Sequence, residues 1–160
     1  MASPVAAWHE EHAYFFKLLD QLRLQLDVFH GAERPDYELM LDIISRLREL
    51  GDGRHHPREE VAFERLAARA PDLQLRLQRL RQEHRVIAHT GDALARQLEA
   101  VLSGVMVPRV QVESAAATYL LYYGNHMMRE EEDVLPRAAA VLTPEDWAAI
   151  AAAAPGSLQQ

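Results

Sequence analysis

The chain has 160 residues, 49% of them hydrophobic and 26% charged, with a formal net charge of −7 and no cysteine. This length suits one domain with a substantial core, and the negative balance argues against a nucleic-acid-binding protein, which needs clustered Lys and Arg. The lack of cysteine excludes thiolate-held iron–sulfur clusters and disulfides, and without a secretory signal or an apolar run near the ~20 residues of a membrane helix we expect a cytoplasmic protein.

The first two predicted helices differ in regularity. The first has an apolar stripe at helical spacing, formed by His12, Phe15, Leu19, Leu22 and Leu26. The second starts near Asp36, contains Gly51-Asp52-Gly53, and resumes through Pro57 to about residue 69. Because proline disrupts the interior of a helix, we predict a break or kink just before His55.

Two further long helices follow, and their stripes are Leu77, Leu80, His84, Ile87, Gly91, Leu94, Leu98 and Val101, then Ala115, Tyr119, Tyr122, His126 and Glu130. Four long helices joined by short loops predict an all-α, up-down-up-down four-helix bundle. A short extra C-terminal helix is indicated by Thr143 as N-cap and Pro144 at its first position. We expect one bundle domain over residues 1–155 and a loose tail over 156–160.

A motif on these helices occurs twice. The segments 55–60 and 126–131 both read His-x-x-Arg-Glu-Glu, and each is preceded at nearly equal distance by a Glu-His pair. On helices this gives two related halves, each with a lone His, a further His and a Glu one turn after it. Four imidazoles and two carboxylates are the donors that a pair of transition-metal ions requires. The predicted metal ligands are His12, His55, Glu59, His84, His126 and Glu130.

The alternative to a metal site is that these residues are ordinary core and surface groups. Two carboxylates on core stripes without a countercharge would each cost several kcal/mol, about the penalty of an unpaired buried ion, and bound cations remove that penalty. Arg58 and Arg129 could pair with the glutamates, but they lie about 100° round each helix and are expected to face outward.

The adjacent pair His56 and Glu60 has the same four-residue spacing as His55 and Glu59. Since the two pairs are about 100° apart on a helix, both should not point to one centre. The register of the repeat favours His55 and Glu59 as ligands, with His56 and Glu60 as the alternative pair. If His55 and Glu59 bind the metal, His56 and Glu60 should lie outside the metal ligands or on the surface.

Tyr119 and Tyr122 lie on the face of His126, where most tyrosines are core packing with a hydroxyl partner. A phenol near a metal could also donate a hydrogen bond or an electron, and Tyr122 is the better candidate for that role.

Other known site patterns are missing. No Glu is followed by His three residues later, as in ferritin-like di-iron bundles, and the zinc-protease His-Glu-x-x-His and the phosphate-binding glycine loop are absent. The chain resembles the hemerythrin-like family, the His-His-Glu cation-binding four-helix bundles, over roughly residues 5 to 142. The segments that carry the resemblance are Glu11-His12, His55-His56-Pro57-Arg58-Glu59, Glu83-His84, His126-Met127-Met128-Arg129-Glu130 and Val134-Leu135-Pro136.

The resemblance implies a non-haem di-iron centre with bridging carboxylates, held by the six predicted ligands. Two departures bear on activity. Oxygen-carrying hemerythrins have a second His four residues after the third-helix ligand, where this chain has Ala88, and an Asp five residues after the last His, where it has Glu131. One His fewer would leave a coordination position open and weakens the case for a reversible oxygen carrier.

We therefore expect two iron ions, with zinc or manganese as alternatives, and a protein that binds or senses a small diatomic or peroxide ligand. The Gly51-Asp52-Gly53 break would be its mobile element. The rivals are a di-iron oxidase or peroxidase and an iron-storage or structural bundle; a sensor is favoured over an enzyme. No nucleic acid or membrane partner is expected, and the protein is expected to be a monomer or homodimer.

Overall fold

Helices make up the regular secondary structure of residues 3–31 and 33–153, the part of the chain that this computed structural model describes. No strand occurs in those two ranges, so the predicted all-α class is confirmed. The α-helices are α1 (Pro4–Phe29), α2 (Tyr37–Arg46), α3 (His56–Arg69), α4 (Gln74–Leu102), α5 (Arg109–Arg129), α6 (Leu135–Val141) and α7 (Pro144–Ala152). The predicted tail over 156–160 lies outside the described residues.

Two segments of wider π-helix join some of these helices without a loop: π1 (Leu47–His55) between α2 and α3, and π2 (Glu130–Val134) between α5 and α6. The backbone N–H of His56 donates to the carbonyl of Gly51, five residues back. A proline ring inside a helix clashes with the carbonyl four residues before it, and the wider turn of π1 accommodates Pro57. The break predicted before His55 is thus a π-segment, so the chain stays helical through Gly51 and Gly53.

The long helices pack so that the apolar core is interrupted by polar residues. On α1, buried His12 lies between Trp8 and Phe15, and on α4, buried His84 lies between Leu80 and Ile87. Trp8 and Leu80 belong to one apolar cluster, and Phe15 and Ile87 belong to another. The histidines therefore occupy a layer between two hydrophobic cores, which hold the helices rigid on both sides of it. Among the described residues, no helix is both long and apolar enough to cross a membrane.

The C-terminal helix α7 begins where the sequence predicts. Thr143 accepts a hydrogen bond from the backbone N–H of Asp146, and the Asp146 carboxylate accepts one from the backbone N–H of Thr143. This reciprocal capping box satisfies two backbone donors that a helix start leaves unpaired. The buried Asp146 side chain also accepts hydrogen bonds from Arg65 and Arg69 of α3, and these bonds fix α7 against the bundle.

Replacing Asp146 by Asn is expected to lower the free energy of unfolding at neutral pH. The hydrogen bond from Arg69 lowers the pKa of Asp146 from its ordinary value of 3.8, with help from the Thr143 backbone. A carboxyl whose pKa is depressed by folding stabilises the fold above its ordinary pKa, and that contribution is lost as the pH falls below it. The difference between variant and unaltered protein should therefore shrink below about pH 4. Urea unfolding at neutral and acid pH measures it, and a difference independent of pH would contradict it.

Candidate metal centre

Seven ionisable side chains with 5% of their surface exposed or less meet in the layer between the two cores. They come from every long helical element: His12 (α1), His55 (π1), His56 and Glu59 (α3), His84 (α4), His126 (α5) and Glu130 (π2). All six predicted ligands are in this set. Their ligating roles remain predictions, but the fold brings them together.

Glu59 is the centre of the cluster. Its Oε1 lies 3.1 Å from His12 Nε2 and 2.5 Å from His55 Nε2, and its Oε2 lies 2.9 Å from His84 Nε2. Two groups of donor atoms, each within 4.8 Å of one another, share this carboxylate. One group is His12, His55 and Glu59; the other is His56, Glu59, His84 and His126.

Glu130 is fully buried beside both groups. Its Oε1 lies 2.8 Å from His126 Nε2 and 3.7 Å from His12 Nε2. Among the described residues, neither carboxylate oxygen of Glu130 has a hydrogen-bond partner. The same holds for His55 Nε2 and His126 Nε2, although each nitrogen faces a carboxylate. Polar atoms that are buried without a hydrogen bond destabilise a fold. A shared cation would satisfy all four of these atoms. The residues present therefore fit a metal.

The two inner carboxylates have opposite acidities. Burial would raise the pKa of Glu59, but the positive field of His55 and hydrogen bonds from His12 and His84 hold it well below its ordinary value. Burial and the neighbouring Glu59 charge raise the pKa of Glu130 well above its ordinary value. Glu59 is thus the charged bridge between the groups, and Glu130 is poised to give up a proton when a cation arrives.

Protons and metal ions compete for the imidazoles. Burial lowers the pKa of His12, but hydrogen bonds that its ring donates to Glu131 and Glu59 raise that pKa to about 9. Against the same effect of burial, the negative field of Glu59 and a hydrogen bond donated to Glu11 raise the pKa of His55, likewise to about 9. Burial and the field of His84 lower the pKa of His56 well below its ordinary value. His56 is therefore neutral, the form that binds a metal.

Each inward-facing histidine has a carboxylate on its outer nitrogen. The Nδ1 partners are Glu131 for His12 (2.8 Å), Glu11 for His55, Asp52 for His56 (3.4 Å), Glu60 for His84 (3.3 Å) and Glu83 for His126 (2.9 Å). A carboxylate in this position fixes the ring orientation and raises the basicity of a metal-binding imidazole. Four of these contacts are hydrogen bonds, whereas His56 and Asp52 are within ion-pair distance only, and such outer carboxylates are typical of a metal centre.

The two halves of the chain make equivalent contacts around these outer carboxylates. Glu11 binds both His55 and Arg58, with Arg58 Nη2 3.0 Å from Glu11 Oε1. In the second half, Glu83 accepts from Arg129 at 2.7 Å and faces His126 at 2.9 Å. Both arginines are partly exposed, as predicted, and pair with neither Glu59 nor Glu130; each binds an outer carboxylate instead, on α1 or on α4.

The two halves of the repeat differ at two pairs of equivalent positions. His56 corresponds to Met127 in the repeat, so one half supplies an additional imidazole. Trp8, four residues before His12, donates from Nε1 to Glu59 Oε1 at 2.8 Å. The residue four before His84 is Leu80, which has no hydrogen to donate. Glu59 is therefore stabilised as a carboxylate by a donor that the second half cannot offer to Glu130.

The placement of His56 corrects the sequence interpretation. His55 and His56 do diverge, but they border different groups, and the His56 ring stacks on His84 with centroids 4.1 Å apart. The cluster therefore has five imidazoles, one more than the four predicted. Glu60 stays outside the cluster, on the outer nitrogen of His84.

Tyr123, and not Tyr122, is the tyrosine beside the cluster. Tyr123 is fully buried, its ring centroid lies 5.6 Å from that of His56, and its hydroxyl has no hydrogen-bond partner. Tyr122 is partly exposed. Glu11, Glu83, Asp52 and Trp8 were not predicted to act at the site. A signal did exist for the two glutamates, since each directly precedes a lone histidine of the repeat.

Comparison with protein families matches residues 3–138 to the hemerythrin HHE cation binding domain. The matched segment contains every residue of the cluster and stops before α7. Among curated proteins, no sequence matches this chain.

Proposed function

Because the chain belongs to the hemerythrin HHE cation-binding family, we propose that it holds two iron ions and binds or senses a small ligand such as oxygen, nitric oxide or peroxide. The family and the buried His/Glu cluster point to a metal cofactor. The helix order supports an up-down-up-down bundle formed by α1, α2 to α3, α4 and α5. The single observation that carries the proposal is Glu59, a buried carboxylate shared by two groups of histidines.

The donors divide between two positions. His12 and His55 would hold one ion, and His56, His84 and His126 would hold the other, with Glu59 and Glu130 close to both groups. Iron would supply a site for an exogenous ligand and a change of oxidation state. Five imidazoles and two carboxylates would not fill every coordination position of two such ions, which leaves room for a small ligand.

Two features would serve a small ligand: a cavity that leads from the surface to the centre, and a helical segment that can adjust when the ligand binds. A cavity of about 250 Å³ reaches His56 and His84 from the surface and is lined by Ala88 and Pro57. π1 carries His55 and ends next to His56. Since π-segments are frequent at functional sites, π1 is the part of the bundle that we propose adjusts on ligand binding.

Metal content and the optical spectrum test this function. Protein from iron-supplemented cells, oxidised in air, should contain two irons per chain and show near-ultraviolet bands that azide changes. His84→Ala should lose iron, while His89→Ala, on the exposed face of the same helix, should keep it. A protein that takes up no ferrous iron under anaerobic conditions would overturn the proposal, and preferential uptake of zinc or manganese would overturn the choice of iron.

Removing an outer carboxylate should weaken metal binding without abolishing it. Glu11→Gln and Glu83→Gln each release one histidine and one arginine, and loss of such a partner typically costs about 10–100-fold in metal affinity. Because the halves are related, both variants should fall in this range. Competition with a chelator measures the affinity, and the exposed Glu10→Gln is the control. Unchanged affinity in both variants would contradict the role of the outer carboxylates.

Tyr123 favours a second candidate function, an oxidase or peroxidase. A buried phenol without a partner, next to His56, can donate a proton or an electron toward the centre. Steady turnover that is lost in Tyr123→Phe but kept in Tyr122→Phe would support the enzyme. Turnover unaffected by either change would exclude a role for these phenols.

A further inference from the structure

A second cavity, of about 270 Å³, lies on the opposite side of the centre, between α1, α3 and α7. Its floor includes His55 and Glu59, so it ends at the donor group that also contains His12. Its walls are apolar and consist of Pro4, Ala7, Trp8, Trp147, Ile150 and Ala151. Half of these come from α7, which lies beyond the segment matched to the family.

The walls are held in place by contacts that need no ligand. The Trp8 indole is fixed by its hydrogen bond to Glu59, and its ring meets Trp147 edge to face, with centroids 6.4 Å apart and an angle of 81°. α7 is tied to α3 through Asp146 and its two arginines. A cleft that is open to solvent on one side and lined by anchored aromatic rings is a formed pocket and not a gap left by a loose helix.

The charged groups in the pocket are already paired. Glu11 and Arg58 bind each other, with Arg58 Nη2 3.0 and 3.1 Å from the two oxygens of Glu11. Glu59 is engaged by Trp8 and the histidines of the cluster. A charged ligand would lose its hydration here and find no free countercharge. The pocket therefore selects uncharged molecules.

We propose that this pocket binds a small uncharged organic molecule of about one aromatic ring and presents it to the His55–Glu59 side of the centre. A cavity of about 150 Å³ with apolar walls holds benzene, so 270 Å³ accommodates one ring with small substituents. Binding itself needs no metal. Only the placement of the ligand beside metal ions rests on the proposed function.

Tryptophan fluorescence tests the proposal directly, because the only two tryptophans of the chain, Trp8 and Trp147, both line the pocket. Toluene should give a saturable change in fluorescence with the full chain, both metal-free and iron-loaded. Benzoate, of similar size but charged, should bind at least about tenfold more weakly for lack of a countercharge. Calorimetry with the same two probes checks that the signal reports binding.

Matched variants locate the binding. Ala151→Phe fills the mouth of the pocket and should weaken toluene binding at least about tenfold by occupying its volume. Ala148→Phe makes the same change at an exposed alanine of α7 outside the pocket and should leave binding unchanged. If Ala151→Phe unfolds α7, Ala7→Phe closes the pocket from α1 instead.

The outcomes separate the two proposals. Toluene binding by a protein that takes up no iron would support the proposed pocket and overturn the proposed iron centre. The absence of any saturable response to toluene, or equal affinity in the unaltered protein and both pocket-filling variants, would overturn the pocket whatever the iron content.

Discussion

Glu59→Gln is expected to abolish metal loading at both positions, because both groups of donors share this carboxylate. The neutral amide cannot balance two cations, and one of its two donor atoms becomes an N–H₂ group that repels a metal ion. Metal affinity should fall by more than the factor of about 10–100 that is typical of losing an outer partner. No stoichiometric iron should therefore remain. Metal analysis after purification in iron measures it.

Glu64→Gln is the control for this result, since it makes the same change on the exposed face of α3 and should keep its iron. Circular dichroism separates loss of ligands from loss of fold. If Glu59→Gln retained one iron per chain, the shared-carboxylate arrangement would be wrong, and the two positions would be independent sites.

Gly51→Ala is expected to destabilise the protein although alanine normally favours helices. A Cβ at this position would clash with the hydroxyl oxygen of Tyr123, and that ring is fully buried. Overpacking of a rigid core costs about 1–3 kcal/mol, more than the gain of up to about 1 kcal/mol from replacing glycine. Gly53→Ala, whose Cβ finds its nearest neighbour at 3.7 Å, should be neutral or stabilising.

A double-mutant cycle tests this explanation. Tyr123→Phe removes a hydroxyl that has no hydrogen-bond partner, so it should cost little. With the hydroxyl gone, the closest ring atom to the new Cβ is Cζ at 3.6 Å, an ordinary contact. Gly51→Ala should then become tolerated, with a coupling of about 1–3 kcal/mol by urea unfolding. Equal effects of Gly51→Ala in both backgrounds would contradict a clash with Tyr123.

The sequence predicts that the site residues come together, because histidines occupy positions in apolar helix stripes where leucine is usual. His12, His84 and His126 each interrupt such a stripe, and burial follows from the stripe alone. The inner carboxylates followed from spacing, since Glu59 and Glu130 lie one turn after a histidine.

What could not be predicted depended on partners from other helices or on exact register. Helical geometry gives the direction of Arg58, but only the packed structure shows that Glu11 meets it. Helical geometry argues against His55 and His56 pointing to one centre, whereas the fold has two adjacent groups that use both directions. On α5 the buried positions run through Tyr119, Tyr123 and His126. Placing Tyr122 there instead gives an equally good three–four spacing, so periodicity alone cannot separate the two tyrosines.

The substitution of His56 in one half by Met127 in the other has a consequence for the order of loading. Three imidazoles surround one position and two surround the other, so the ions would be held with unequal strength. The position with His56, His84 and His126 should fill first and release its ion last. The position with His12 and His55 should be the exchangeable one, and at limiting iron the protein should accumulate as a half-loaded form. In a chain built from two related halves, one residue in which the halves differ would then separate a resident ion from a replaceable one.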